Sequence, residues 1–518
     1  MRFNPLPKHL VNSVILSVAK RNEESRDFSR KDFSIPSRDS SLRFASFRMT
    51  HCLFFFFASI FFAFEAKAQP VPIDTLHKYG IYDTDRLTPE FHKSRRDELR
   101  SRMAPHSAAL FLSAPEKNRS NDVNYEYHQD PNFYYLTGHI QPEAVLLITK
   151  EAIVVNGVAM NEVLFVKGRE PAREVWTGPR LGIDGAKSVL KFQSVFLIDS
   201  VVDFLNAALQ NEDTLYYTPF IKKIEEPLLS KYSSEINALL KIGIRQRYLK
   251  LEIVPSPVFL NEMRSVKQDE ELKLLRKAIK ISNEAHNEII HTAKPGWAEY
   301  QMQALGEYIF TKNGCEYTGY PCIVGSGNNS TILHYETNRR KTESGDFIEM
   351  DIGGEYHGYT ADITRSFPIN GKFTKEQRAI YELVLEAQDS GIAEAKAGNP
   401  FKAPHYAAVS VITRGLLKLG IIDKPEDYKK YFMHGTSHFL GLDVHDAGNS
   451  SQPLQERQVI TVEPGIYISD GSPCDKKWWK IGCRIEDDIL ITLLGPEILS
   501  QDSPRKADEI EELMKVKK

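Results

Sequence analysis

Two aspartates, Asp351 and Asp362, flank a glycine-bearing reversal in the run Phe347-Ile348-Glu349-Met350-Asp351-Ile352-Gly353-Gly354-Glu355-Tyr356-His357-Gly358-Tyr359-Thr360-Ala361-Asp362-Ile363. Apolar and polar residues alternate on both sides with a period of two, which predicts a half-buried β-hairpin. A reversal centred on Tyr356 and His357 sets the two aspartates directly opposite each other, their Cβ atoms roughly 4.5 to 5.5 Å apart. Two ionised carboxylates that close repel strongly once water is excluded, so a proton, a cationic side chain or a metal ion must compensate. Taken alone, the pair reads more readily as two solvated acids on a surface hairpin.

The downstream chain changes that balance. The run from Met433 to Asp446 carries His434, His438 and His445 in a segment broken by glycines. Val459 to Val462 is an apolar strand that ends in Glu463, before a Pro-Gly turn, and Cys483 to Ile491 is another, with Arg484 and the acids Glu486, Asp487 and Asp488. A carboxylate within a Val/Ile-rich strand is unfavourable unless it is paired or metal-bound. Four such acids with one histidine form an oxygen-rich set of five ligands. That set suits Mn²⁺ and accepts Co²⁺, Zn²⁺ or Fe²⁺. Five ligands exceed what one open-sited ion needs. Two ions are therefore expected, about 3.5 to 4 Å apart, sharing a water that ionises near neutral pH.

The order Asp, Asp, His, Glu, Glu resembles the ligand set of the pita-bread metallopeptidases, the family that contains aminopeptidase P, prolidase and methionine aminopeptidase. The wording around it is similar too, in Asp351-Ile352-Gly353, Thr360 to Phe367, His434 to Asp446 and Glu463-Pro464-Gly465-Ile466-Tyr467. The resemblance implies that Asp351, Asp362, His438, Glu463 and Glu486 hold the two metals. It further implies that His334 and His445 contact substrate and the developing oxyanion, with His434 beside them. Glu463 would shuttle a proton, while Arg484 and Tyr467 would orient the ligating carboxylates. The aromatic stretch Tyr125 to Gly138 reads on its own as core or interface packing, but with Trp176-Thr177-Gly178-Pro179-Arg180 it also resembles the N-terminal domain of aminopeptidase P. In that family this region approaches a neighbouring subunit's active site. Arg180 is therefore a candidate substrate contact, and a homodimer or homotetramer is expected.

These residues require elements to position them. Amphipathic helices are predicted over 266–293, 297–313, 375–397 and 402–419. Helix pair, strands, helix pair, strands is an internal repeat that fits a pita-bread fold, an α+β domain whose helices cover a curved antiparallel sheet. His334 ends the strand-like run that starts at Pro321. Upstream, Ala108 to Leu112, Ala144 to Thr149 and Glu162 to Val166 read as buried strands and Pro89 to Met103 as a basic helix, an α/β pattern. No glycine-rich phosphate loop follows these strands. The connector Val254-Pro255-Ser256-Pro257 marks a boundary. The chain thus divides into a leader over 1–68, an N-terminal α/β domain over 69–260 and the pita-bread domain over 261–518.

With 518 residues, two domains are expected. A net charge of −3 gives no electrostatic footprint for nucleic acid or an anionic membrane. The five cysteines form no C-x-x-C pair. Cys474 and Cys483 are near enough in sequence to close a small loop in an oxidising compartment, with buried free thiols the alternative. Residues 1–48 are rich in Ser and Arg without apolar periodicity. From Met49 a phenylalanine-rich run too short to span a bilayer leads to Ala66-Lys67-Ala68, the pattern of a cleavable signal peptide.

Together these readings describe a periplasmic or secreted enzyme, cytoplasmic if the signal segment is not used. Its expected reaction is removal of the N-terminal residue from peptides with proline second. An Xaa-Pro dipeptidase is the nearest alternative, separable by comparing Xaa-Pro with Xaa-Pro-Yaa. A non-catalytic pita-bread module or a metal-free hydrolase fits less well, because all five ligand positions are kept. Exported protein is expected to begin near Gln69 when its N-terminus is sequenced, and mature protein that retains residues before Met49 contradicts the signal-peptide reading.

Overall fold

The computed structural model describes residues 85–155, 157–218, 236, 251–255 and 257–515. The signal segment lies outside the described residues. The N-terminal region starts with helix α1 (Pro89–Arg102), whose first turn is closed by the Thr88 hydroxyl accepting from the Phe91 amide. Strands β1 (Ser107–Leu112), β2 (Ala144–Val155), β3 (Val158–Val166), β4 (Val195–Leu197), β5 (Thr214–Tyr217) and β6 (Glu252–Val254) form one sheet. Its order is β4-β3-β2-β1-β5-β6, antiparallel at the centre and parallel at both sides. Ala109, Phe111, Leu146 and Ile148 join one core, whereas Ala108, Leu110, Val145 and Leu147 join a second on the other face. Burial of both faces accounts for the unbroken apolar runs.

The aromatic stretch forms a short helix, α2 (Pro131–Thr137), capped by Asp130 and ended by Gly138 at φ 67°. Phe133, Tyr134 and Tyr135 are buried, and the Tyr135 hydroxyl donates to the Met263 carbonyl at 3.1 Å. This stretch therefore packs one domain onto the other. Helix α3 (Pro171–Thr177) follows β3, with Glu174 buried and Trp176 89% exposed.

After β6 the chain enters α4 (Pro257–Ser265), α5 (Asp269–Thr292) and α6 (Glu299–Lys312). Helix α5 opens on three acids, and Glu271 accepts from the Gln268 amide at 2.9 Å, closing the first turn of the helix. Next come β7 (Ile323–Ser326), β8 (Phe347–Asp351), β9 (Gly354–Tyr356), β10 (Tyr359–Thr360) and β11 (Thr364–Pro368), then helices α7 (Lys375–Glu394) and α8 (Ala403–Lys418). Strands β12 (Val459–Val462), β13 (Gly465–Ile468), β14 (Ile481–Arg484), β15 (Asp487–Thr492) and β16 (Gly495–Ile498) complete the sheet region. The run from Pro321 is not one strand: β7 ends at Ser326 and a 3₁₀ turn over Gly327–Thr331 precedes His334.

Two bent antiparallel ribbons organise this domain. Strands β8 and β9 return as β10 and β11, and β12 and β13 return as β14 and β15. Each ribbon is interrupted midway, at Ile352-Gly353 against Ala361 to Ile363, and at Glu463-Pro464 against Ile485-Glu486. A long helix caps each break. Ser282 on α5 accepts from the Gly354 amide at 3.0 Å, and His286 donates to the Ile352 carbonyl at 3.2 Å. Gln388 on α7 donates to the Val462 carbonyl at 3.2 Å. Backbone groups released by the interruptions are thus satisfied in the core.

The register differs from the expected one. His357 and Gly358, at φ 51° and 85°, form the two-residue turn, so Asp351 pairs with Thr364 and Asp362 falls opposite Gly353. The aspartates are diagonal rather than opposed, but a shift of two residues keeps them on one face. In the second ribbon, the pairs Val462↔Asp487 and Gly465↔Arg484 carry Glu463 directly opposite Glu486. Cys474 and Cys483 are free thiols. Cys483 is fully buried beneath its ribbon, whereas Cys474 lies in the loop between β13 and β14.

A Cβ at Gly353 would meet the Ala361 carbonyl oxygen at 1.8 Å. Gly353→Ala is therefore expected to lower stability by at least the ~1–3 kcal/mol of an overpacked core, read as a lower denaturation midpoint. An unchanged midpoint would contradict the close approach of the two strands.

Candidate active site

Asp351, Asp362, Glu463 and Glu486 all stand at ribbon interruptions or strand ends, and both breaks open onto one cavity. Its volume is about 450 Å³. All four acids line it, together with His334, His434, His438, His445 and Arg484. The histidine segment reaches it by running beside β12: the Thr461 amide donates to the His438 carbonyl at 3.0 Å, and the Glu463 amide to the Thr436 carbonyl at 2.9 Å. Its far end is anchored by Asp446, which pairs with Arg264 and, at 2.8 Å, with the buried Lys267.

His438 Nε2 lies 3.2 Å from Asp362 Oδ2 and 3.5 Å from Glu463 Oε1. Its Nδ1 contacts the Phe439 carbonyl at 3.1 Å, which makes Nδ1 the donor and aims Nε2 into the cavity. Among the described residues, Asp362, His438 and Glu486 each offer a ligand atom within 4.8 Å of the others. Asp351 flanks this trio and is fixed by the Tyr320 hydroxyl at 2.5 Å and Arg484 Nη2 at 2.7 Å. Glu463 completes the ring, with Thr461 Oγ1 donating to it at 3.3 Å.

The electrostatics match a cation site. Burial, reinforced by the neighbouring acids, raises the carboxyls of Asp351, Glu463 and Glu486. The His438 imidazole is pushed up to about 9: burial opposes its charge, but Asp362 and Glu463 outweigh burial. That proton stands where a divalent cation would neutralise the same oxygens. The donor set of four carboxylates and one imidazole around one cavity therefore fits two divalent ions.

A second layer holds the acids. Arg484 Nε donates to Thr364 Oγ1 at 3.0 Å, and Thr364 donates to Glu486 Oε2 at 2.7 Å. Arg484 Nη1 donates to the Tyr467 hydroxyl at 2.9 Å, which lies 2.9 Å from His434 Nε2. His434 Nδ1 is 2.6 Å from the Gly435 carbonyl, so Nδ1 donates and Nε2 accepts from Tyr467. Both nitrogens are engaged, and burial with the Arg484 charge lowers the imidazole to about 3. His434 thus serves as a neutral wall and orienting group rather than a proton carrier. His334 and His445 are exposed to the cavity, and the His445 ring stacks edge-on against His438 at 4.3 Å.

Arg180 is not in this cavity. It lies in the N-terminal domain, 3.7 Å from Glu143, and lines a separate pocket with Glu174 and Arg173. Sequence reasoning missed Tyr320, Thr364 and Glu349. Glu349 is buried on β8, 2.6 Å from Arg484 Nη1 but off the line of a hydrogen bond, so both its oxygens lack a hydrogen-bond partner. Its carboxyl is pushed up to about 8, by burial first. The available signal was spacing: Glu349 lies two residues from Asp351, on the same face of an otherwise apolar strand.

Metal binding at this site needs neutral His438 and ionised acids, so protons must leave. Metal content after dialysis is expected to fall as pH is lowered from about 8 to about 5, and ion binding near pH 7 is expected to release protons in calorimetry. Equal metal content across that range would contradict this ligand assignment.

Residues 273–493 match the model of metallopeptidase family M24, and residues 92–216 match the N-terminal domain of aminopeptidase P. The chain is 36% identical over 440 residues to a Haemophilus influenzae Xaa-Pro aminopeptidase, covering 83% of this chain and 98% of that protein. Among solved structures, proline aminopeptidase P II from Yersinia pestis superposes with a TM-score of 0.76 at 36% identity, covering 83% of this chain and 99% of the other. A zinc-substituted Escherichia coli aminopeptidase P in complex with product gives 0.76 at 35% identity, covering 83% and 98%. With the pita-bread ribbons, the ligand ring and both domains accounted for, the chain belongs to the aminopeptidase P group of metallopeptidase family M24.

Proposed function

We propose that this protein is a two-metal aminopeptidase that hydrolyses the first peptide bond of substrates with proline second. The observation that carries this reading is the convergence of Asp351, Asp362, His438, Glu463 and Glu486 on one cavity in a chain of this family. These five residues would hold two divalent cations, which would supply Lewis-acid polarisation of the scissile carbonyl and lower the pKa of a water toward neutrality. The oxygen-dominated donors support Mn²⁺ as the native ion.

The chain's own residues supply the remainder. Glu463, which lines the cavity beside His438, would accept a proton from the attacking water and return it to the leaving nitrogen. His334 and His445 present imidazoles to the cavity for the substrate and for the oxyanion that develops from its carbonyl. Arg484, Thr364 and Tyr467 fix Asp351, Glu486 and His434 and thereby fix the geometry. A bond to proline has no amide hydrogen on its nitrogen, so a site that recognises it cannot depend on gripping that hydrogen.

Three further assignments belong to this reading. Export is supported by the apolar run after Met49 and its Ala-x-Ala end. A dimer or tetramer is supported by the exposed Trp176 and Val175 on α3. Arg180, just beyond that helix, would then serve a neighbouring subunit's substrate.

Metal analysis alongside a peptide series differing only at the second residue tests the assignment. Hydrolysis is expected when that residue is proline, and cleavage of Xaa-Pro-Yaa over Xaa-Pro separates the aminopeptidase from a dipeptidase. Glu463→Ala should lower kcat by roughly 10²–10⁴-fold while circular dichroism stays native. Metal-loaded enzyme indifferent to proline, or a fully active Glu463→Ala, would refute it.

A further inference from the structure

The loop from His434 to Ser437 is shared by two cavities. It lines the metal cavity, and it also lines an adjoining space of about 410 Å³ at the start of α8, together with Phe401, Lys402, His405 and Tyr406. His434, Gly435 and Ser437 line both. The sizeable cavities at the domain interface and in the N-terminal domain share no residue with the metal cavity.

A series of rings connects the two spaces. Tyr467 contacts His434 with centroids 5.5 Å apart, His434 contacts Phe432 at 5.1 Å, Phe432 contacts His405 at 5.6 Å, and His405 contacts Tyr406 at 6.1 Å. His405 Nδ1 is held 2.9 Å from Thr436 Oγ1, which fixes the ring against the shared loop. Tyr406 is 64% exposed. Lys402 is exposed and makes no ion pair among the described residues. The Ser437 hydroxyl, on the shared wall, has no hydrogen-bond partner among the described residues.

We propose that the second cavity receives the part of the peptide beyond proline, with the chain lying along Tyr406 and its terminal carboxylate pairing with Lys402. This rests on the aminopeptidase reading, because an enzyme that removes a first residue must leave an open path for the rest of the chain. The ring steps from His434 to His405 amount to at most about 11 Å, the reach of about three extended residues at 3.3–3.6 Å each. A pentapeptide with proline second has three residues beyond proline and spans that distance, whereas a tripeptide has one and reaches least far toward Lys402. Tyr406 offers an aromatic face that accepts varied side chains, and Lys402 a flexible point charge.

Steady-state kinetics of the metal-loaded enzyme test this with Xaa-Pro-Yaa, a pentapeptide with proline second, and the same pentapeptide amidated at its C-terminus. Lys402→Gln is expected to raise KM for the free-acid pentapeptide about three- to fivefold, the scale of an exposed ion pair, with kcat unchanged. It should leave the tripeptide alone. Amidation should produce the same loss in the natural enzyme and no additional loss in Lys402→Gln. Tyr406→Ala should raise KM for both pentapeptides and not for the tripeptide. Equal effects on all three substrates, or none on any, would overturn the proposal. Natural enzyme that cleaves all three while the variants behave identically overturns only this subsite. Natural enzyme that cleaves none overturns the aminopeptidase reading itself.

Discussion

Mutual repulsion among buried carboxylates governs the catalytic domain. Asp351, Asp362 and Glu486 are almost fully buried, and Glu463 joins them at one cavity. Such a group of acids is unstable in a dry protein unless cations answer it. In the chain itself the answer is Arg484 and a protonated His438, and neither is placed to neutralise every oxygen. The imbalance is what gives the site its affinity for divalent ions, and the surrounding hydrogen bonds keep the acids from relaxing away from one another.

The architecture that holds them is the interrupted ribbon, used twice. A continuous strand would bury its backbone in a ladder and project side chains alternately to opposite faces. Across each break the alternation is kept, so Asp351 and Asp362 on one ribbon and Glu463, Arg484 and Glu486 on the other line the same cavity, and α5 and α7 repair the hydrogen bonds that the breaks leave open. Gly353 exists for the same reason, since the returning strand occupies the space of its side chain. The second ribbon is reinforced differently. Asp487, adjacent to Glu486, is held by Arg365 at 2.8 Å and by Gln388 at 2.9 Å deep in the core.

Much of this was legible in the residues. The helices and the N-terminal strands announce themselves by apolar period, and the spacing of Asp351, Asp362, His438, Glu463 and Glu486 points to the family's ligand order. Register was not legible. His-Gly at positions 357 and 358 is not the usual Asn-Gly of a two-residue turn, so the hairpin was centred one residue early, and the directly opposed acid pair belongs to the other ribbon. Nor did the apolar run from Cys483 to Ile491 show where it breaks, because both halves are equally buried. Glu349 escaped notice because a lone acid in a strand has no meaning until Arg484 arrives from well over a hundred residues away.

The two ribbons lie almost a hundred residues apart in the chain, with α7, α8 and the histidine segment between them. Neither ribbon alone offers more than two of the five donors, so the coordination sphere is complete only when both ribbons and the histidine segment are docked. Full-strength metal binding therefore reports the docking of chain segments distant in sequence rather than the formation of either ribbon. By the same logic, opening of either ribbon alone would withdraw two of the five donors, which makes retention of bound metal a measure of how firmly the halves stay closed.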